Sequence, residues 1–219
     1  LTFEESEEEI QLKELEPISD NLVLKAVDLL KKRTNCNKGV KIALQKHIPL
    51  QKGLGGGSSD AAATLIALNK LWNLGLTQTE LLDMSLELGS DVPFFIFGHN
   101  AWAEGRGEIL SKVDFNEDWH LLYMPEAKIS TKKAFEGLSS KFSRPYTYEE
   151  CSSDGGFNSF EKWARDSYEE IDEIFIKLES IGKPRLSGTG SSVFVSFGKL
   201  EEAESAKQVF PDCILLKSL

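Results

Sequence analysis

The chain has 219 residues and a mass of 24.4 kDa, with 25 lysines and arginines against 35 acids, a net charge of −10 and a pI near 4.9. That balance argues against a surface built to neutralise many phosphates, so broad nucleic-acid or anionic-membrane binding is not expected, while one small basic nucleotide pocket is still allowed. Cys36, Cys151 and Cys213 form no CxxC pair, no apolar run is long enough to span a bilayer, and the first residues carry no secretory signal pattern, which sets aside a disulfide scaffold, a thiolate zinc site and a membrane span.

The first twenty residues hold eight acids and one base, so most of the net charge sits there and the remainder is nearly balanced. Leu1, Phe3, Ile10 and Leu12 alternate with polar residues around Glu4 to Glu9, which predicts a strand, an exposed acidic turn and a second strand. Ser19-Asp20-Asn21 opens a helix with Leu22, Ala26, Leu29 and Leu30 on its apolar face, closing on the basic run Lys31-Lys32-Arg33. Val40, Ile42 and Leu44 alternate as a strand leading to Pro49. An Ala/Leu-rich helix follows from about Ser58 to Trp72, and Thr77 with Glu80 forms a capping box for the next, expected to stop at Gly89. Ser90-Asp91-Val92-Pro93 restarts a short apolar helix. Strands are expected at Ala101 to Ala103, Ile109 to Val113 and His120 to Met124, then a polar connection over Ser139 to Phe157 and one long helix from about Asn158 to Ile181. A strand at Ser192 to Phe197, a helix at Leu200 to Phe210 and a strand at Cys213 to Leu216 complete the series. The break near Gly107 and the second β/α alternation predict two α+β lobes sharing a cleft, residues 1–108 and 109–219.

Gly53-Leu54-Gly55-Gly56-Gly57-Ser58-Ser59 is the most informative stretch. Glycines let a backbone approach a ligand closely, and the helix that follows offers unpaired N–H groups at its positive end. Together these make an anion cradle suited to phosphates. No Lys-Ser/Thr follows the last glycine, the G-x-G-x-x-G spacing is missing and there is no G-x-S-x-G elbow. Walker A, dinucleotide-fingerprint and serine-hydrolase readings therefore lose support. Ser58 and Ser59 read as cap residues whose hydroxyls can reach a phosphate or its metal. A second small-residue run, Ser187 to Ser192, suggests a second backbone closing over the same ligand.

Asp91 stands where one helix ends and another begins. It is equally readable as an N-cap and as a carboxylate placed to accept a hydroxyl proton in phosphoryl transfer. His47, His99 and His120 show no ligand spacing and read as structural or surface residues.

The run Pro49 to Ala62 resembles the motif of the GHMP small-molecule kinases. Asp20-Asn21-Leu22, Leu88 to Phe95, Gly98 to Glu108, Asn158-Ser159-Phe160-Glu161 and Leu186 to Ser192 extend the likeness in order along the chain. They make it similar to those members that act on a cytidine diphosphate-linked methylerythritol in the non-mevalonate route to isoprenoids. The resemblance implies an α+β fold with an S5-like N-terminal lobe and a ferredoxin-like C-terminal lobe, with ATP, Mg²⁺ and the substrate in the cleft. By position, Gly53, Leu54, Gly55, Gly56, Gly57, Ser58 and Ser59 would wrap the triphosphate, and Asn21 and Lys46 would line the adenosine pocket. Asp91 falls on the family's catalytic base; Thr131 and Phe135 fall on the cytosine side, and Gly188, Thr189 and Gly190 on the loop that closes over the substrate. It also implies a preceding segment, before the position matching Leu1, with a catalytic lysine, an asparagine and a Tyr-His pair for the cytidine. A bacterial cytoplasm or a plastid would suit the pathway, with no nucleic-acid or membrane partner. Three other readings stay open, an ATP-binding remnant without catalysis, a purely structural α+β domain and a GHMP-type kinase for another small alcohol, although Phe135 and the Asn158 to Glu161 motif speak against the last.

Overall fold

The computed structural model describes residues 1–114, 118–138, 147–153 and 156–218; within the connection expected over 139–157, residues 139–146, 154 and 155 lie outside that set. The chain divides into two compact units, residues 1–49 with 55–114, and residues 50–54 with 115–219. The short segment 50–54 thus belongs with the second unit, although the chain on both sides of it belongs to the first.

The first unit begins with β1 (Thr2–Ser6) and β2 (Ile10–Glu14), followed by α1 (Leu22–Thr34) and β3 (Gly39–Leu44). Both strands expected around the acidic turn form, but they do not pair with each other. β3 lies between them, antiparallel to β1 and parallel to β2. Its apolar residues Val40, Ile42 and Leu44 are buried, so the most apolar strand takes the centre. The acidic turn passes over the start of β3, where Gly39 N–H donates to Glu7 O and Val40 N–H to Glu9 O. A Cβ on Gly39 would fall 2.4 Å from Glu9 N and O, so only glycine fits under that turn.

α1 and α2 (Gly56–Leu71) pack together against this sheet, burying Val27, Leu30, Ile42, Leu65 and Leu68 in one core. Trp72 Nε1 donates to Gly39 O at 3.2 Å and fixes the end of α2 to the start of β3. α3 (Gln78–Ser85) carries the expected capping box of Thr77 and Glu80 but ends four residues before Gly89. α4 (Val92–Phe97) and the hairpin of β4 (Ala101–Glu104) with β5 (Ile109–Lys112) complete the unit.

The second unit contains β6 (Trp119–Tyr123), α5 (Thr131–Gly137), α6 (Tyr148–Ser153), α7 (Glu161–Ser167), α8 (Glu169–Leu178), β7 (Arg185–Leu186), β8 (Val193–Phe197), α9 (Leu200–Val209) and β9 (Ile214–Lys217). Its sheet runs β7-β8-β6-β9 with every neighbouring pair antiparallel, the split βαβ order of a ferredoxin-like fold. Leu121, Ile171, Phe175, Leu178 and Val193 fill its core. The long helix expected over 158–181 is broken in two. Tyr168, at φ −135° and ψ 103°, is extended and separates α7 from α8. Among the described residues, no helix is long and apolar enough to cross a membrane.

Candidate active site

Three elements of the first unit converge on the N-terminus of α2. Gly55 caps that helix in the left-handed region at φ +65°, a conformation suited to glycine, and it provides no side-chain cap. Ser59 N–H bonds Gly55 O at 2.9 Å, so the N–H groups of Gly56, Gly57 and Ser58 precede the first intrahelical bond. They lie at the positive end of a 16-residue helix, where anions are favoured. Ser59 Oγ donates back to Gly56 O at 3.0 Å and is committed to the turn.

The surroundings separate the glycines by what each is needed for. A Cβ on Gly55 would fall 2.7 Å from the Phe95 ring, and one on Gly56 would lie 3.0 Å from Ile48 Cγ2 and 3.1 Å from Lys46 Nζ. At Gly57 the nearest atom would be Leu22 Cδ1 at 3.6 Å, an ordinary contact. The protein's own packing therefore demands Gly55, presses on Gly56 and leaves Gly57 open. An open glycine in the first turn of a helix, where alanine would be more stable, fits a ligand that approaches the backbone closely. The cradle thus suits a polyphosphate.

Lys46 reaches this same helix end and pairs with Asp60 of α2. Asn21 is the N-cap of α1; its Oδ1 accepts from Val23 N–H at 2.9 Å and its Nδ2 donates to Glu14 Oε2 at 2.8 Å. Its amide is thereby engaged in holding α1, whose next residue, Leu22, is the one that faces Gly57.

Asp91 occupies the N-cap position of α4, with Pro93 in the first turn, yet its side chain makes no capping bond. Among the described residues, no hydrogen bond or ion pair uses its carboxylate, and the residue is exposed. Of its two sequence readings, the capping role is not taken. Phe95, whose ring seats Gly55, comes four residues later, one turn along the same face of α4. One short helix therefore supports the cradle and carries the carboxylate. Behind it, Gly107, at φ +111°, lies directly against Ser90 O: a Cβ there would meet that oxygen at 2.2 Å, so the β4–β5 turn backs the peptide before Asp91.

The remaining site residues lie in the second unit. Gly53, at φ +68°, is pressed onto the second small-residue run; a Cβ would sit 2.1 Å from Ser187 O, and Gly53 O accepts from Ser187 Oγ at 2.8 Å. Gly53 and the second small-residue run are thus in direct backbone contact. Leu54 and Thr189 are half-buried, while Gly188 and Gly190 take positive φ of 50° and 88°. Asn158 organises this region, donating through Nδ2 to Leu186 O at 2.9 Å and Gly188 O at 2.8 Å and accepting from Phe160 N–H at 2.9 Å. Phe160 packs edge-on against Phe135, ring centroids 5.0 Å apart, and 61% of Phe135 stays exposed. Thr131, also exposed, begins the same helix, α5, capped by Ser130.

Sequence reasoning did not single out Lys52, Phe95 or Glu170. A lysine directly before a glycine loop, outside the Walker position, was the visible signal for the first; the other two are defined by contacts that no local pattern reveals. Among the described residues, no group of three or more His, Cys, Asp or Glu side chains is arranged to hold a metal ion.

Residues 21–99 match the family described as GHMP kinases N terminal domain. A 4-diphosphocytidyl-2-C-methyl-D-erythritol kinase from Nitrosococcus oceani is 40% identical over 196 residues, which cover 89% of this chain and 70% of that protein. A crystal structure of 4-(cytidine 5'-diphospho)-2C-methyl-D-erythritol kinase superposes with a TM-score of 0.80 at 26% identity, covering 99% of this chain and 83% of the other. Homoserine kinase from Cytophaga hutchinsonii, with a TM-score of 0.74 at 15% identity over 99% of this chain and 84% of its own, shares the fold.

Proposed function

The chain belongs to the 4-diphosphocytidyl-2-C-methyl-D-erythritol kinases of the GHMP family, small-molecule kinases of α+β fold, and from that premise we propose that it phosphorylates the C2 hydroxyl of 4-diphosphocytidyl-2-C-methyl-D-erythritol. The observation that carries this reading is α4, which holds a carboxylate without a capping bond at Asp91 and, one turn on, the ring that seats Gly55 of the cradle.

In this reading the N–H groups of Gly56, Gly57 and Ser58 hold phosphate oxygens, with Gly53 and Leu54 continuing the wrap. The Ser58 hydroxyl is the side chain we assign to a phosphate or its metal, since that of Ser59 is committed to Gly56 O. ATP supplies the phosphoryl group, and Mg²⁺ offsets the charge on it. Lys46 and Asn21 border the nucleotide end of the cradle. Asp91 accepts the proton of the attacking hydroxyl, as an exposed carboxylate can once substrate covers it. Thr131 and Phe135 serve the substrate side, where the exposed face of Phe135, steadied by Phe160, suits stacking on a cytosine ring. Gly188, Thr189 and Gly190, tied down by Asn158, form the loop we place beside the substrate.

Asp91→Asn tests the assignment. Turnover falls by about 10²–10⁴ while ATP affinity is kept, because the amide cannot take the proton but fills the same space. Turnover near that of the unaltered chain would remove Asp91 from the reaction. A turnover comparison between cytidine-containing and cytidine-free alcohols tests the substrate.

A further inference from the structure

Lys52 stands immediately before the glycine-rich run, yet it points away from solvent and is only 6% exposed. Its ammonium donates to three successive main-chain carbonyls, Pro125 O, Glu126 O at 3.1 Å and Ala127 O at 2.9 Å. An ammonium has three N–H donors, and here each has an acceptor. The same turn is held from its other side. The Glu170 carboxylate, in the first turn of α8, accepts from Glu126 N–H at 2.6 Å and Ala127 N–H at 2.9 Å. Cation and carboxylate thus face each other across two peptide groups, whose dipoles they orient in the same sense.

The backbone around Lys52 is fixed as well. Gln51 O accepts from Ile129 N–H at 3.2 Å, Lys52 O from Ser192 N–H at 3.2 Å and Gly53 O from Ser187 Oγ at 2.8 Å. Three consecutive carbonyls are therefore engaged immediately before Leu54. Burial of an ammonium is costly, and burial does lower the pKa of Lys52, opposed by Glu170. An apolar residue would avoid that cost, so the charge calls for a role of its own.

We propose that Lys52 and Glu170 are positioning residues for the phosphate loop: Lys52 acts as a tethered monovalent cation on the carbonyls of 125–127, and Glu170 aims those carbonyls at it. Gly53 and Leu54 are held by this pair in the conformation that binds nucleotide, although neither charge is assigned a contact with it. The inference rests on the kinase reading above.

Lys52→Ala and Glu170→Gln in the whole chain test it by two readouts. Amide hydrogen exchange, without nucleotide, should show loss of protection at Ile129 and Ser192 in both variants, while Leu121 and Val195 in the sheet stay protected. ATP titration should show affinity weakened about tenfold or more in Lys52→Ala, with the maximal rate retained. Ammonium or potassium chloride should restore part of that affinity, and choline chloride at equal ionic strength should not, because only a small cation can enter the vacated carbonyl cage. Unchanged exchange with unchanged ATP affinity overturns the proposal, as does equal restoration by choline. If Lys52→Ala loses protection in the sheet itself, Glu170→Gln decides by the same criteria. Failure of the unaltered chain to bind ATP would overturn the kinase reading instead, and the exchange arm would still judge the anchor.

Discussion

An alanine methyl at position 57 would sit 3.6 Å from Leu22 Cδ1, whereas at position 55 it would sit 2.7 Å from the Phe95 ring on a backbone with positive φ. These two glycines of one loop should therefore respond in opposite ways. Gly57→Ala removes unfolded-state freedom at a helical position without a clash, and should raise stability by about 0.5–1 kcal/mol. It should nonetheless weaken ATP binding, because the methyl lies where the backbone must approach phosphate. Gly55→Ala should destabilise the first unit. Urea denaturation and an ATP titration on both variants check this, and undiminished ATP affinity in Gly57→Ala would refute the cradle. The glycine run was legible in the sequence as the turn that opens α2, because positive φ and close packing dictate residue type at short spacing. Lys52 and Asn158 were not legible in their roles, since their acceptors lie 73 to 75 residues away for the one and 28 to 30 for the other.

At the scale of elements, the division between α7 and α8 is the clearest departure from the sequence pattern. Phe160, Ala164, Ile171, Phe175 and Leu178 continue an apolar stripe, and no proline or glycine interrupts it. What ends α7 is electrostatic and tertiary. Glu169, Glu170 and Asp172 crowd one turn and favour a new helix N-terminus there, and the break leaves Glu170 bonded to the turn at 126–127. Arg165 of α7 spans the break, with Nε 2.6 Å from Asp172 Oδ1 and its guanidinium 4.8 Å over the Phe175 ring. Both partners of that ion pair are partly exposed, so the pair contributes little compared with the ring it covers. Arg165→Ala should cost about 1 kcal/mol and Phe175→Ala about 3–5 kcal/mol, as Phe175 is fully buried. Urea midpoints of the two variants give the comparison, and a larger loss from Arg165→Ala would show that the ion pair, not the core, joins the helices. β1 and β2 teach the same lesson. Alternation located both strands, but which strand separates them is set by the more apolar β3, thirty residues on.

Over the whole molecule the charge of −10 is concentrated at the start, where Glu5 is paired with Lys38 at 2.7 Å and the turn carbonyls of Glu7 and Glu9 cap β3. Carboxylates dominate the charge count, yet the pH response just below neutrality should come from a histidine. His120 lies on β6 with Nδ1 2.9 Å from Ser196 Oγ and its ring edge-on to Phe194. Burial pushes its pKa below the ordinary 6.5; Asp118 pulls it up by less, and Arg185 adds to the lowering. The unfolded chain therefore takes up this proton at a higher pH than the folded one. As pH falls through about 6.5 the unfolded state binds more protons, so stability should decline until the depressed folded pKa is passed. The contribution is fully present above the unfolded value and is lost on acidification, the direction expected of a base held neutral. His120→Gln should remove this part of the slope while leaving the sheet intact. Urea midpoints measured from about pH 7.5 to about pH 5.5 should then fall more steeply for the unaltered chain than for the variant. Equal slopes would mean that the ring is as readily protonated on the sheet as in water, and that the acid sensitivity of the fold belongs to its carboxylates alone.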